Sequence, residues 1–210
     1  MPNDPPRRDP GRTSLVVKVG GSLLSQVHRI VPVLGASPRP LLLVPGGGLF
    51  ADAVRQAGAQ DDAAHWMAIA AMEQYGWLLA SQGVETTDQL ALPKTTTVLL
   101  PYRVLRVRDP LPHTWQITSD TIAAWVAHTL GSELLVLKSV DGIRIDGVLV
   151  PEISVPRKTD VVDPCFIPYV LKNRVQAMIL NGTDTDRLRR YLQGAVVPGT
   201  SVSNGPGTTF

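Results

Sequence analysis

Short apolar runs alternate with amphipathic segments along most of the chain. The apolar runs predict strands, which we place at residues 14–19, 41–44, 96–100, 134–137, 177–180 and 199–202. The amphipathic segments predict helices, which we place at residues 23–34, 49–57, 61–81, 118–130, 164–174 and 184–193. Strands and helices that alternate in this way are typical of a mostly parallel sheet covered by helices, so we expect an α/β fold.

Three segments need separate treatment. We interpret residues 102–107 as a further short strand, and residues 143–150 alternate around Asp146-Gly147, which predicts a hairpin. The predicted helix at residues 61–81 carries apolar side chains around much of its circumference. Such a helix is either buried in the core or lies partly in a subunit interface, and both interpretations stay open.

Length and composition favour one globular domain. The chain has 210 residues, of which 44% are hydrophobic and 18% are charged, and we place a single domain at residues 13–210. Residues 1–12 contain four prolines and three arginines without an apolar core, so we predict a disordered tail there rather than a secretory signal. No run approaches the roughly 20 apolar residues of a membrane helix, so we expect no membrane segment.

Charge and cysteine content exclude several kinds of site. The formal net charge is +2 and the basic residues are dispersed, so we expect no nucleic-acid binding. Cys165 is the only cysteine, which excludes an intrachain disulfide and a cysteine-based zinc site, and a reducing cytoplasm is the simplest location. The four histidines lack the spacing of metal-binding motifs, so we assign no metal-binding residue.

Two glycine-rich turns each follow a predicted strand and precede a predicted helix. Gly20-Gly21 follows the first strand, and Gly46-Gly47-Gly48 follows the second. One glycine pair after a strand is more often only a tight connection. Two such turns on neighbouring strands favour an anion-binding site, because helix N termini present N–H groups there. Neither turn has the Walker or the dinucleotide-binding pattern.

Lys18 stands inside the otherwise apolar first strand, two residues before Gly20. In a buried parallel strand nearly every residue is apolar, and a lysine there costs free energy unless it meets an anion. The alternative is a lysine at an exposed strand edge. The adjacent glycine turn favours the anion-binding interpretation.

Four motifs follow one another along residues 14–203. They are Lys18-Val19-Gly20-Gly21-Ser22, Pro45-Gly46-Gly47-Gly48, Ile117-Thr118-Ser119-Asp120-Thr121 and Val140-Asp141-Gly142-Ile143. In this order and spacing they resemble the amino-acid kinase superfamily. The resemblance implies a three-layer αβα sandwich with a mostly parallel central sheet. It also implies a homo-oligomeric kinase that uses ATP and Mg²⁺ to phosphorylate a small molecule.

The same resemblance implies roles for individual residues. Lys18 would contact the transferring phosphoryl group, and Asp120 would orient Lys18 rather than act as a base. The residues expected to bind the nucleotide are Gly20, Gly21, Ser22, Lys138, Ser139, Asp141 and Gly142. The residues expected to bind the acceptor are Gly46, Gly47, Gly48, His113 and Trp115.

Two of these motifs have structural alternatives. Ser119 or Asp120 can cap the helix that follows, a role compatible with orienting Lys18. Asp141-Gly142 is equally well interpreted as an ordinary turn into the hairpin. Ser139 stands where many relatives have aspartate, which weakens the case for a ligand-binding carboxylate at that position.

Other polar residues carry weaker signals. His113 and Trp115 either close on a ligand or belong to a packed loop. Lys172 or Arg174 would supply a second cation beside Lys18, although a solvated helix face explains both residues better. Which residue provides a second cation therefore stays open.

A narrower resemblance concerns the acceptor. Residues 64–69 and 113–120, together with the short chain, are similar to the aminomethylfuran phosphate kinases of methanofuran biosynthesis. The acceptor of that group is itself a phosphate monoester, so its oxygen is already anionic near neutral pH and needs no general base. The alternatives are a kinase for UMP or isopentenyl phosphate, and a non-catalytic nucleotide- or anion-binding protein of the same fold.

Overall fold

The computed structural model describes residues 14–204, and the tail predicted at residues 1–12 lies outside them. The strands are β1 Leu15–Val19, β2 Leu41–Pro45, β3 Glu85–Thr87, β4 Thr97–Leu99, β5 Leu134–Lys138, β6 Arg144–Ile145, β7 Val148–Leu149, β8 Glu152–Ile153, β9 Ala177–Asn181 and β10 Thr200–Val202. The α-helices are α1 Val27–Gly35, α2 Gly48–Gln56, α3 Asp61–Ala80, α4 Pro101–Arg108, α5 Ser119–Leu130, α6 Phe166–Lys172 and α7 Thr185–Leu192, and a 3₁₀ helix covers Gly21–Gln26.

One sheet of eight strands, in the order β3-β4-β2-β1-β5-β9-β10-β8, forms the centre of the fold. The first six strands in this order are parallel to one another, whereas β10 pairs antiparallel to β9. The predicted mostly parallel sheet is therefore confirmed. Because β1 lies between β2 and β5, the carboxyl ends of these three strands meet at one edge of the sheet.

Helices cover both faces of the sheet and form the predicted three-layer sandwich. Side chains of β1 alternate between the two faces. Val17 and Val19 pack in the core that contains residues of α1 and α7, and Val16 packs in the core that contains residues of α5 and α6. Lys18 has the same orientation as Val16 and therefore faces α5.

The strand predicted at residues 102–107 is wrong, because this segment belongs to α4. Pro101, Val104 and Leu105 are buried, and their spacing of three and four residues is that of one helical face. Proline at the first helical position favours a helix start, because its fixed backbone angle suits the helix. The apolar residues of this segment therefore follow the period of a helix and not the two-residue period of a strand.

The sequence pattern does not mark the two edge strands, β3 and β8. They contain three and two residues, with glutamate and threonine among them, so no apolar run identifies them. The first predicted helix also differs, since it opens as a 3₁₀ helix and becomes α-helical at Val27. The hairpin at Asp146-Gly147 is confirmed, and both residues have the positive φ that a two-residue turn requires.

The long helix α3 belongs to the core and also leaves apolar side chains at the surface. Met67 and Trp77 are exposed, at 42% and 57%. The helix contributes buried side chains to the cores on both faces of the sheet, namely Ile69, Met72, Tyr75 and Leu79. No helix among residues 14–204 combines the length and the apolar character needed to span a bilayer.

A buried hydrogen bond joins α3 to the end of β1. The hydroxyl of Tyr75 donates to the carbonyl oxygen of Gly20 at 3.2 Å, and the backbone N–H of Leu23 donates to the same oxygen at 3.0 Å. The Tyr75 side chain is fully buried. The first glycine turn is thus fixed from two sides.

We expect Tyr75→Phe to lower the free energy of unfolding by about 1 kcal/mol, because it removes one buried hydrogen bond and keeps the ring packing. Urea denaturation measures this change. Tyr169→Phe is the matched control, since the Tyr169 hydroxyl has no hydrogen-bond partner among residues 14–204. Equal losses in the two variants would contradict the role given to Tyr75.

Candidate active site

Two lysines and one aspartate converge at the carboxyl edge of the sheet. Lys18 lies near the end of β1, Lys138 is the last residue of β5, and Asp120 lies in the first turn of α5. The Nζ atom of Lys18 is 2.7 Å from Oδ1 of Asp120, and the Nζ atom of Lys138 is 2.7 Å from Oδ2. We call this arrangement the Lys18–Asp120–Lys138 triad.

Two members of the triad are buried, and the triad as a whole carries one uncompensated positive charge. Lys18 and Asp120 are each 3% exposed, and the side chain of Lys138 is 16% exposed. Two ammonium groups share a single carboxylate, so one of the positive charges has no partner within the triad. Because charges removed from water are costly unless they are paired, the arrangement favours the binding of an anion.

The charges of the triad shift the pKa values of its members. Burial would raise the pKa of Asp120, but the attraction of Lys18 and Lys138 outweighs burial, and the net change is a lowering. Burial, followed by repulsion from Lys18, lowers the pKa of Lys138 to about 8 although Asp120 opposes the change. Asp120 therefore stays ionised, whereas Lys138 loses its charge in mildly alkaline solution.

The two glycine turns pack against each other backbone to backbone. A Cβ atom on Gly21 would lie 2.3 Å from the nitrogen of Gly48, and a Cβ atom on Gly46 would lie 2.6 Å from the nitrogen of Gly21. Gly48 also has a φ of +53°, which disfavours a side chain there. Only glycine permits this contact, and it brings the starts of the 3₁₀ helix and of α2 together beside Lys18.

Only some of the glycines predicted to bind a ligand have a position that allows it. The N–H of Gly20 donates to the carbonyl oxygen of Leu137, and the N–H of Gly46 donates to that of Val19. These two donors are used inside the sheet and are not free for a ligand. Four predicted residues of the two turns do border a cleft beside the triad, namely Gly21, Ser22, Gly47 and Gly48.

This cleft has a volume of about 540 Å³, suited to a small molecule. The triad forms its inner end, and α3 lines one wall from Asp61 to Met72, about 16 Å of helix. Met72 packs in the same core as Val16 and Val44, so it marks the inner end. Asp61 is exposed and marks the outer end.

His113 lies at the outer part of the cleft, in the loop between α4 and α5. Its Nδ1 atom is 2.6 Å from Oδ1 of Asp62, and its Nε2 atom is 2.8 Å from Oδ1 of Asp109. Hydrogen bonds to these two carboxylates, Asp62 first, raise the pKa of His113. The His65 ring stacks on the His113 ring with centroids 3.9 Å apart, so the loop is held against α3.

Trp115 also borders the cleft and carries a cation on its face. The guanidinium carbon of Arg55 lies 4.6 Å from the centroid of the indole ring, and Arg55 pairs with Asp52 at 2.6 Å. Both predicted acceptor-binding side chains, His113 and Trp115, are therefore brought to the cleft. They also belong to a packed loop, so the two interpretations of this segment are compatible.

The predicted nucleotide-binding residues 138–142, at the end of β5 and just after it, have different environments. Lys138 belongs to the triad, whereas Asp141 accepts hydrogen bonds from Asn181 at 3.2 Å and Arg187 at 2.8 Å. These contacts, Asn181 first, lower the pKa of Asp141. Ser139 is exposed, and a Cβ atom on Gly142 would lie 2.5 Å from the Thr200 hydroxyl. The segment is thus a well-anchored turn, and its contact with a nucleotide stays a prediction.

The second cation beside Lys18 is Lys138, a residue that the sequence predicts to bind the nucleotide. Lys172 and Arg174 are exposed near the end of α6 and do not border the cleft, whereas Lys138 is 2.7 Å from Asp120. The signal in the sequence is the one that marked Lys18, a lysine at the end of an apolar strand. The solvated-face interpretation of Lys172 and Arg174 fits the structure.

The start of α5 is capped from a distant segment. Thr118 precedes α5 without capping it through its own side chain. The carboxylate of Asp163, in the loop before α6, accepts hydrogen bonds from the backbone N–H groups of Thr118 and Thr121. Asp120 is therefore not the cap of this helix, since both of its oxygens lie against the lysines.

We expect sulfate to bind wild-type protein more weakly as the pH rises through about 8, because Lys138 loses its proton there. Sulfate keeps its own charge across this range. In Lys138→Arg the guanidinium stays charged, so the pH dependence should disappear. Isothermal titration calorimetry at fixed ionic strength measures the affinities.

Lys172→Arg is the matched control for this experiment, since Lys172 is exposed and lies outside the cleft. It should keep the pH dependence of the wild type. Sulfate affinity that does not change with pH in the wild-type protein would show that Lys138 takes no part in anion binding.

Comparisons with known proteins show what the chain is similar to in sequence and in fold. No family model matches the chain. The sequence is 27% identical over 201 residues to the [5-(aminomethyl)furan-3-yl]methyl phosphate kinase of Methanocaldococcus jannaschii, which covers 85% of this chain and 93% of that protein.

Solved structures show the same fold. The uridylate kinase of Archaeoglobus fulgidus has a TM-score of 0.69 at 17% identity and covers 91% of this chain and 100% of its own. The UMP kinase of Ureaplasma parvum has a TM-score of 0.69 at 15% identity and covers 91% and 99%. An isopentenyl phosphate kinase has a TM-score of 0.62 at 14% identity and covers 90% and 100%. The chain thus has the amino-acid kinase fold of these structures and is similar in sequence to a phosphate kinase, in agreement with the resemblance carried by its motifs.

Proposed function

We propose that the chain is an ATP-dependent kinase whose acceptor is a small phosphate monoester, [5-(aminomethyl)furan-3-yl]methyl phosphate, in the biosynthesis of a methanofuran-type cofactor. The observation that carries this proposal is the pair of ammonium groups on the buried carboxylate of Asp120 at the inner end of the cleft. The similarity to the kinase of Methanocaldococcus jannaschii supports the acceptor.

The triad suits phosphoryl transfer between two anions. The transferring group spreads negative charge over its equatorial oxygens, so catalysis depends mainly on positioned cations and N–H donors. Lys18 and Lys138 provide two cations on one rigid carboxylate. Each ammonium group has three N–H donors. Lys138 uses one on Oδ2 of Asp120, and Lys18 forms an ion pair with Oδ1, which leaves donors on both lysines for phosphate oxygens.

Asp120 orients the lysines and does not act as a base. Both of its oxygens are held by ammonium groups, and the pKa of Asp120 is lowered by Lys18 and Lys138 despite its burial. A phosphate acceptor needs no base, because its attacking oxygen is already anionic. The absence of a base role for Asp120 is therefore compatible with this acceptor.

Mg²⁺ bound to ATP would supply further positive charge beside the transferring phosphoryl group. Mg²⁺ prefers oxygen ligands and is commonly held by substrate phosphates together with water. Asp120, the carboxylate at the inner end of the cleft, is committed to the two lysines. We therefore propose that the nucleotide phosphates, rather than Asp120, hold the metal ion.

The charge distribution of the cleft favours an acceptor with opposite charges at its two ends. The inner end carries the uncompensated ammonium charge of the triad. Asp52, Arg55 and Asp61 line the exposed part of the cleft. Asp52 pairs with Arg55, whereas Asp61 has no ion-pair or hydrogen-bond partner among residues 14–204. A phosphate would face the lysines, and a primary ammonium would face Asp61.

Aromatic and apolar side chains also line the cleft. His65, His113 and Trp115 line it together with Ile69 and Met72, and such a lining suits an acceptor that contains a flat ring. An aminomethylfuran phosphate has a ring between its phosphate and its amine. Isopentenyl phosphate and UMP lack a cationic group at the end opposite the phosphate, so the unpaired Asp61 favours the furan compound.

The oligomeric state and the cellular location of the proposed enzyme are inferred from the resemblance and from composition. Homo-oligomers are common for this superfamily, and the exposed Met67 and Trp77 of α3 provide apolar surface for a contact between copies. The cytoplasmic location and the lack of nucleic-acid and membrane partners stay predictions from composition.

With ATP and Mg²⁺, we expect the aminomethylfuran phosphate to give a higher kcat/KM than UMP, isopentenyl phosphate or the same furan phosphate without its amine. Removing the amine should lower kcat/KM about 10-fold, because Asp61 then loses its partner. Mass spectrometry of the acceptor diphosphate measures the rates.

Asp61→Asn should reduce the ratio of kcat/KM for the aminomethylfuran phosphate to that for the furan phosphate without its amine. Asp186→Asn, an exposed change on α7, should leave this ratio unaltered. Transfer to UMP but not to the furan phosphate would contradict the proposed acceptor. ATP binding without transfer to any of the four acceptors would instead support a non-catalytic binding protein.

Lys18→Ala should lower kcat about 100-fold and weaken ATP binding much less, because Lys18 acts on the charge that develops during transfer. Steady-state kinetics and equilibrium nucleotide binding provide the two values. Lys94→Ala, at an exposed loop position, is the control. Equal losses of kcat and ATP affinity would mean that Lys18 only anchors the nucleotide.

A further inference from the structure

One buried carboxylate outside the triad accepts an unusual number of hydrogen bonds. Asp163 is 8% exposed in the loop between β8 and α6. Its Oδ2 atom accepts from the N–H of Thr118 at 2.9 Å, the Thr118 hydroxyl at 2.9 Å and the N–H of Thr121 at 3.0 Å. Its Oδ1 atom accepts from the Thr121 hydroxyl at 2.5 Å and the N–H of Cys165 at 3.2 Å.

Through these contacts Asp163 binds the N terminus of α5, although it lies 42 to 45 positions away in the sequence. The first N–H groups of a helix need acceptors, and Asp163 provides them from another segment. A negative charge at this end of the helix is also favourable. The first turn of α5, which contains Asp120, is therefore fixed by Asp163.

Asp163 also contacts Asp120 directly. The backbone N–H of Asp163 donates to Oδ2 of Asp120 at 3.2 Å, and the same oxygen accepts from Lys138 at 2.7 Å. One oxygen of Asp120 is thus held by a lysine and by a backbone donor together. This leaves the other oxygen directed at Lys18, 2.7 Å away.

We propose that Asp163 is a positioning residue for phosphoryl transfer, which holds Asp120 in the one orientation that lets its two oxygens meet both lysines. The proposal rests on the proposed kinase function. Asp163 is not among the residues that line the cleft, so it acts through Asp120 and the start of α5 rather than on the substrate.

The charge of Asp163 has a second effect on the triad. Three charged groups act on Lys138: Lys18 from β1, Asp120 from α5 and Asp163 from the loop before α6. Burial and Lys18 lower the pKa of Lys138, whereas Asp120 and, to a smaller degree, Asp163 raise it. Removing the charge of Asp163 should therefore lower the pKa of Lys138 further and reduce its protonated fraction.

A purely structural cap would not need this arrangement. Asparagine and serine cap helices about as well as aspartate, and neither would carry the charge that acts on Lys138. Asp163→Asn therefore separates the two roles, because it keeps the shape and part of the hydrogen bonding and removes the charge.

The test compares wild-type protein with Asp163→Asn. We expect kcat to fall by about 10- to 100-fold, because small displacements of a catalytic group have effects of this size, with a much smaller change in KM for ATP. Competitive acylation of lysines, followed by mass spectrometry as a function of pH, gives the titration midpoint of Lys138. The midpoint should lie near 8 in the wild type and lower in Asp163→Asn.

Ala127→Gly is the matched control, since it weakens the same helix at its opposite end, away from the triad. It should lower the melting temperature and leave kcat and the Lys138 midpoint unchanged. If Asp163→Asn does not fold, Asp163→Ser tests the same expectations, because serine is a smaller uncharged cap.

Either an unchanged kcat or an unchanged Lys138 midpoint in the folded Asp163 variant overturns the proposal and reduces Asp163 to a helix cap. The acylation experiment needs neither ATP nor an acceptor. If the wild-type protein transfers no phosphoryl group, the proposed function fails, while the midpoint still shows whether Asp163 acts on the triad.

Discussion

The ionised Asp120 between Lys18 and Lys138 is the constraint on which the candidate site depends. Three charges are removed from water at the edge of a sheet, and such burial is tolerated only when the geometry of the contacts is good. The strands β1 and β5 must be neighbours so that Lys18 and Lys138 lie close together. The helix α5 must begin where the carboxylate of Asp120 reaches both lysines. The parallel order of β1 and β5 meets the first condition.

The sequence carries enough information for the centre of the fold. The strands β1, β2 and β5 are apolar apart from one lysine each in β1 and β5, and the sheet buries their apolar residues on both faces. Lys18 was identifiable because it interrupts such a run. Asp120 was identifiable from its motif, and the structure brings its carboxylate to Lys18.

Other parts of the site depend on contacts between distant segments, which local patterns do not contain. Lys138 lies at the end of an apolar run, but its pairing with Asp120 requires the placement of α5 over the sheet. Asp163 stands in an irregular loop, and its role exists only because that loop meets the start of α5. The short polar strands β3 and β8 were missed for a similar reason, since pairing with a neighbour defines them.

The contact between the glycine turns has a consequence for how such a cleft can change. Because Gly21 and Gly48 touch through their backbones, a larger side chain there would force the two turns apart. Other parts of the cleft are lined by side chains of α3 and of the loop that carries Trp115. One part of the boundary is therefore set by backbone contact and another by side chains, so substitutions at exposed positions of α3 would alter which ligands fit with less disturbance of the fold.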